Sequence, residues 1–299
     1  MTIYKRLLHL DTVFGTDNFD ESFSTRQNGS GQGVTPSHSF NCRLNMTTPI
    51  NNIKSISLKS VEIPFLAQNI RSTNNSNYIY FYVKYNNIEN WISITLKDKQ
   101  YTNISTLLGD INSAFSVKIA TIPALAGFTI EFYLNPNDNS KIVIKANPDQ
   151  ITGGLVFGAI NFYFSEVLTK HILGVAYSST SANPDLFIGN VDTYSYMYCT
   201  NCYNLQPDNY FNLNFTNIES APSNANGRPS TFKIPLDGNF GEVIYYNQKS
   251  GAKQNASIDR PNTNLSYLNM VITDRWGFPV YGFGSQISLT LNIEYEEIY

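Results

Sequence analysis

The chain holds few residues that could do chemistry, and their spacing argues against it. The three histidines, His9, His38 and His171, lie far apart, and none stands beside a cysteine or carboxylate at metal-ligand spacing. Cys199-Thr200-Asn201-Cys202 has the form C-x-x-C. A zinc site needs a second pair of ligands and a thioredoxin-type motif opens a helix, whereas this pair closes a strand-like run, so we read free thiols. Asp138, Asp149 and Asp185 fall among asparagines in loop-like stretches whose spacing matches no calcium loop, and they read as solvated turn residues. The run Asn28-Gly29-Ser30-Gly31-Gln32-Gly33 has no Lys-Ser/Thr after it and opens no helix, so it is not a phosphate cradle. No G-x-S-x-G elbow is present. We therefore expect no enzyme, no cofactor and no metal.

Composition points the same way. Of 299 residues, 42% are hydrophobic and only 14% charged, against roughly 25% charged in an ordinary soluble domain. A surface of Asn, Ser, Thr and Tyr suits packing against other proteins, because amides and hydroxyls cost less to bury than charges. An A/T-rich genome would enrich some of the same residues. The net charge of −3 gives no electrostatic case for nucleic acid. No apolar run reaches membrane-spanning length. The stretch Met1-Thr2-Ile3-Tyr4-Lys5-Arg6 lacks a signal-peptide core, so Asn-x-Ser/Thr triplets at Asn45, Asn103 and Asn214 read as by-products and the three cysteines fit a reducing cytoplasm.

The elements that would carry any site are mostly strands. Ile287, Leu289, Leu291, Ile293 and Tyr295 alternate with polar residues, and Phe40, Cys42, Leu44 and Met46 do the same near the start. We expect these two runs to pair in one sheet. Between Ile53 and Ile63 the apolar phase slips from Ile56 and Leu58 to Val61 and Ile63, which predicts a bulge near Lys59-Ser60. Tyr78 to Val83 is apolar on both faces and predicts a strand covered on both sides. In the middle, Ile104, Leu107, Leu108, Ile111 and Phe115 have helical spacing, with Thr102 or Asn103 as cap. A hairpin follows from Phe128 to Ala146, then a short strand Phe162 to Ser165 and a short helix Val167 to Leu173 ended at Gly174. Alternation resumes at Tyr194-Tyr196-Tyr198, Phe232-Ile234-Leu236, Val243 to Asn247 and Leu268-Met270-Ile272.

This predicts a mainly β protein: a single jelly-roll β-sandwich of about eight strands with an inserted α+β module. The expected division is an N-terminal arm at 1–37, a jelly roll at 38–86 and 187–299, and an insertion at 87–186, between the fourth and fifth strands. Tyr194, Tyr196 and Tyr198 read either as sandwich packing or as an interface; Trp276 and Phe278, in the turn before the last strand, belong at one end of the sandwich.

The order of motifs resembles a known family. It runs from Leu7-Leu8-His9-Leu10-Asp11-Thr12 through Leu58-Lys59-Ser60-Val61-Glu62-Ile63-Pro64 and Ile92-Ser93-Ile94-Thr95-Leu96 with Tyr101-Thr102. It continues with Leu173-Gly174, Ile234-Pro235-Leu236, Asp274-x-x-Gly277 and the terminal strand. This resembles the penton and minor capsid proteins of virophages, polinton-like viruses and nucleocytoplasmic large DNA viruses, most closely the mavirus-type virophage pentons. The resemblance implies a homopentamer at the five-fold vertices of a virion, assembled in the host cytoplasm, with sheet edges and arm meeting the major capsid protein and the insertion turned outward toward a receptor or glycan. It carries over no catalytic residues. A non-vertex minor capsid or cement protein, or a carbohydrate-binding attachment protein, are the alternatives.

Overall fold

The computed structural model describes residues 3–11, 16–17, 41–74, 76–85, 88–146, 160–164, 167–174, 190–191, 194–218, 231–248, 254–257, 264–280 and 285–297. In chain order, β1 (Ile3–Asp11), β2 (Thr16–Asp17), β3 (Asn41–Ile50) and β4 (Ile53–Pro64) come first. The middle holds β5 (Tyr78–Tyr85), β6 (Ile88–Thr95), α1 (Ile104–Ala120), β7 (Ile130–Asn135), β8 (Asp138–Ala146), β9 (Ile160–Phe164), α2 (Val167–Leu173, wound with π turns), β10 (Asn190–Val191) and β11 (Tyr194–Tyr198). The chain ends with β12 (Tyr210–Phe215), β13 (Phe232–Pro235), β14 (Val243–Asn247), β15 (Asn255–Ser257), β16 (Leu265–Thr273) and β17 (Ser288–Glu296). The protein is mainly β.

Two units divide the chain: Met1–Ala67 with Asp208–Tyr299, and Gln68–Pro207. The first is an antiparallel β-sandwich consistent with a jelly roll. One five-stranded sheet runs β1-β17-β4-β14 with β15 also on β4; the other runs β13-β12-β16-β3-β2. Their inner faces share one core. Leu58, Val61, Ile63, Leu289, Leu291 and Ile293 come from the first sheet, and Phe211, Leu213, Phe232, Ile234, Met270 and Ile272 from the second. Aromatic edges lock it, with Phe65 against Phe211 at 5.8 Å and Phe215 against Phe232 at 6.1 Å between ring centroids.

The expected phase slip in β4 is a bulge. Leu291 pairs with Leu58 and Thr290 with Ser60, leaving Lys59 as the extra residue. A second slip, between Glu294 and Tyr295, leaves Lys54 out in the same way, so Ile53, Ile56, Leu58, Val61 and Ile63 all reach the core despite two changes of parity.

The expected pairing of the first and last alternating runs is corrected. β17 lies between β1 and β4, and β3 between β16 and β2, so the two runs sit in facing sheets. A strand with one apolar face satisfies the same core from either side, and alternation cannot tell a neighbour from an opposite. The last strand instead pairs with β4 on one side and, on the other, with Ile3–Asp11, part of the expected arm. Leu8 pairs with Leu291, Leu10 with Leu289, and the rings of Tyr4 and Tyr295 stack at 5.8 Å. The Gly run at 28–33 lies outside the described residues.

The second unit extends beyond the expected 87–186 and takes in β5 and β11. Backbone pairing decides this: β5 bonds β6 and β9, and β11 bonds β8 and β10. It holds a three-stranded sheet β6-β5-β9 and a four-stranded sheet β10-β11-β8-β7. Asn103 caps α1, its side chain accepting from the Ser105 N–H at 2.8 Å, and Ile104, Leu107, Leu108, Ile111 and Phe115 are its buried stripe. Phe115 stacks on Phe132 at 5.4 Å. α1 also closes the open side of β7. The Asn112 amide donates to the Phe132 carbonyl (2.9 Å) and accepts the Phe132 N–H (2.7 Å), standing in for a neighbouring strand. Asn112→Ala leaves both backbone groups without this partner and is expected to cost about 1–3 kcal/mol, read as a lower guanidinium midpoint.

Candidate functional site

Trp276 and Phe278 sit on the turn between β16 and β17, which belong to opposite sheets, so the turn starts the crossing from one layer to the other. A buried carboxylate builds it. Asp274 is fully buried. Its Oδ1 accepts the N–H groups of Trp276 and Phe278, both at 2.9 Å, its own N–H donates to the Phe278 carbonyl (2.8 Å), and its carbonyl accepts from Gly277 (3.0 Å). Gly277 takes φ +87, a conformation that suits glycine. From β12, the Asn212 amide donates to the Asp274 carbonyl at 2.9 Å. Beyond the turn, Val280 N–H returns to Ile272 O at 3.0 Å. The half-buried Trp276 is thus held from behind.

Cations and rings alternate beside it. The Arg275 guanidinium lies 5.4 Å from the Trp276 ring and 5.8 Å from Tyr210, and Lys233 Nζ lies 4.0 Å from the same Tyr210 ring. Such a row is amphipathic and suits a partly wet protein contact.

The tyrosine row is elsewhere. β11 pairs with β8, placing Tyr196 opposite Lys145 and Tyr198 opposite Val143, in the second unit. Tyr198 is exposed, and the side chains of Tyr194 and Tyr196 lie outside the described residues. The structure therefore does not bring the tyrosines and the Trp276 turn into one unit.

Sequence reading missed the flanks of the β1-β17-β4-β14 sheet. On its outer face Ile3 and Leu7 of β1 are each 58% exposed, and Val243 and Tyr245 of β14 are 65% and 54% exposed. Between these flanks the face is polar: Lys5 pairs with Glu294 (3.2 Å), Ser55 donates to Glu294 (2.9 Å), and His9 Nδ1 lies 2.9 Å from Thr290 Oγ1. The signal was present, since β1 and β14 both carry apolar residues at adjacent positions and so cannot hide them all on one face.

The residues weighed for chemistry are scattered. His171 is on α2, and His38, Asp149 and Asp185 lie outside the described residues. Cys199 is buried; Cys202 is exposed, its sulfur 3.2 Å from Ser140 Oγ. Hydrogen bonds from Ser140, helped by Lys141, hold the Asp138 carboxyl below its usual range. Among the described residues no group of three or more His, Cys, Asp or Glu could hold a metal, and no helix is long and apolar enough to cross a membrane.

No protein-family model and no curated protein matches the chain. Among solved structures it is similar to a crystal structure of the selenomethionine-labelled mavirus penton protein. The match covers 98% of this chain and 100% of that one, at a TM-score of 0.46 and 11% identity.

Proposed function

We propose that the chain is a structural capsid protein: a penton that assembles as a homopentamer at icosahedral five-fold vertices of a virion and meets the major capsid protein through sheet edges and its N-terminal segment, with the inserted unit turned outward. The observation that carries this reading is the pair of dissimilar apolar flanks on one sheet. Ile3 and Leu7 mark one side, Val243 and Tyr245 the other. A contact in which one flank meets the opposite flank of the next copy is heterologous, and it closes a ring where the rotation between copies divides a full turn. A two-fold dimer would need only one such patch. Among the described residues β1 pairs only with β17 and β14 only with β4, so both outer strands keep backbone groups for a neighbour. The low share of charged residues fits a surface that is covered in use. The number five, the vertex and the major capsid partner come from the order of motifs. In this reading Trp276, Phe278 and the Tyr194-Tyr196-Tyr198 row are contact residues.

Mass photometry and electron microscopy of the purified chain, alone and with its major capsid partner, test it. The expected result is a ring of five copies. Leu7→Glu and Val243→Glu each place a charge in the contact and are expected to weaken the ring by tenfold or more, in the manner of an unpaired buried charge, with the melting temperature of the subunit unchanged. A wild-type chain that stays monomeric under every condition overturns the proposal.

A further inference from the structure

The second unit carries a groove of about 570 Å³ between β6 and α1, lined by none of the residues named above as contacts. One wall is formed by the consecutive residues Ser93, Ile94, Thr95, Leu96 and Lys97. Alternate side chains of a strand point to opposite faces. A groove touched by Ser93, Ile94 and Thr95 in a row, and by Leu96 and Lys97 just past the end of β6, therefore runs along the strand's edge, not over one of its faces.

That edge is open among the described residues, because β6 is the outermost strand of β6-β5-β9. The Leu96 N–H donates to the Asn77 carbonyl on the β5 side at 2.8 Å. By the alternation of an antiparallel ladder, the backbone groups of Ser93 and Thr95 then point away from β5, into the groove. The contrast with β7 is informative. The same helix closes the β7 edge with Asn112, while its side toward β6 offers no amide of that kind.

The helix wall adds charge and an apolar spot. Lys97, Lys99 and Lys118 line the groove against one carboxylate, Asp110. That carboxylate is already engaged by the Tyr101 hydroxyl (2.7 Å) and Lys99 (3.1 Å), contacts that hold it below the usual carboxylate range. Lys99 also lies over the Tyr101 ring at 4.6 Å. Lys97 and Lys118 form no ion pair among the described residues, so the groove keeps a positive excess. Val117, on the same wall, is 66% exposed.

We propose that this groove takes an extended acidic segment of a partner protein, added as a further strand on β6, with carboxylates toward Lys97 and Lys118 and an apolar side chain over Val117. Backbone pairing would supply affinity and the lysines and Val117 the selection. The proposal does not depend on the ring, and its test uses the full chain in whatever oligomeric state it adopts.

The probe is a fluorescein-labelled peptide, Glu-Thr-Val-Glu-Val-Thr-Glu-Val, followed by anisotropy at low salt. Saturable binding is expected, at least about tenfold weaker for Lys97→Glu/Lys118→Glu, as for opposed charges at an interface. The same peptide with alternate amides N-methylated keeps its charge but cannot join a ladder, and it is expected not to bind the wild-type chain. Equal binding of the N-methylated peptide, no binding of the parent peptide to the folded wild type, or binding of a heparin oligosaccharide with none of the peptide would each overturn the proposal.

Discussion

Gly174→Ala is expected to remove about 2–5 kcal/mol from the stability of the second unit. Gly174 ends α2 at φ +78. A Cβ built there collides with the Asn201 carbonyl oxygen and lies 2.9 Å from the Cys202 carbonyl oxygen. Those atoms are backbone and cannot turn aside as a flexible side chain can. They are also fixed by the contact itself, since the Asn201 N–H donates to Gly174 O at 2.9 Å and the Asn204 N–H to Ile172 O at 2.8 Å. Leu168, Ile172 and Leu173 are buried, so moving α2 outward would open the packing beneath it. Gly241→Ala is the control. It shares the left-handed backbone, at φ +91, but its Cβ meets nothing within 4 Å, so only the conformational cost of about 1–2 kcal/mol remains. Guanidinium unfolding followed by circular dichroism measures both. Equal losses at the two positions would show that the close approach at Gly174 is not what the glycine serves.

What could be read from the residues was mostly local. The stripe and cap of α1, the bulge at Lys59 and the end of α2 at Gly174 each follow from a pattern contained in a few residues. What could not be read depends on partners distant in the chain. The alternation of β3 and β17 specifies an inward face but not which sheet each joins, and it led to the wrong pairing. β1 falls in the expected arm because the Gly run that follows it at 28–33 cannot hold a core; its inner residues meet Leu289 and Leu291, far along the chain. β12 was not among the expected strands, although Phe211, Leu213 and Phe215 alternate cleanly with asparagines between them. Asn212 and Asn214 are in fact buried and satisfied, Asn212 by the Asp274 carbonyl and Asn214 by the Thr231 N–H at 3.3 Å. The candidate contact surface followed the same rule. Trp276 could be placed on a turn between strands, while the Tyr210, Lys233 and Arg275 groups around it come together only once β12, β13 and β16 are side by side.

Asp274→Ala is expected to cost about 2–4 kcal/mol, and Asp274→Asn about 1 kcal/mol. Alanine removes the oxygen that accepts from both Trp276 and Phe278 and leaves those two N–H groups without it in a part-buried turn. Asparagine keeps one oxygen in the same place. If the carboxylate mattered chiefly as a charge, the two substitutions would be equally harmful; if it matters as a hydrogen-bond template, they separate. The difference is also visible locally. Trp91 and Trp276 are the two tryptophans of the chain, so a Trp91→Phe background leaves Trp276 as the sole indole reporter. In that background Asp274→Ala is expected to shift the emission to the red and raise acrylamide quenching at temperatures where the sandwich remains folded, while Asp274→Asn leaves both near the parent. A loosened turn that does not disturb the ring of copies would remove Trp276 from the proposed contact, whereas a ring lost in step with the emission shift would tie this buried carboxylate to assembly.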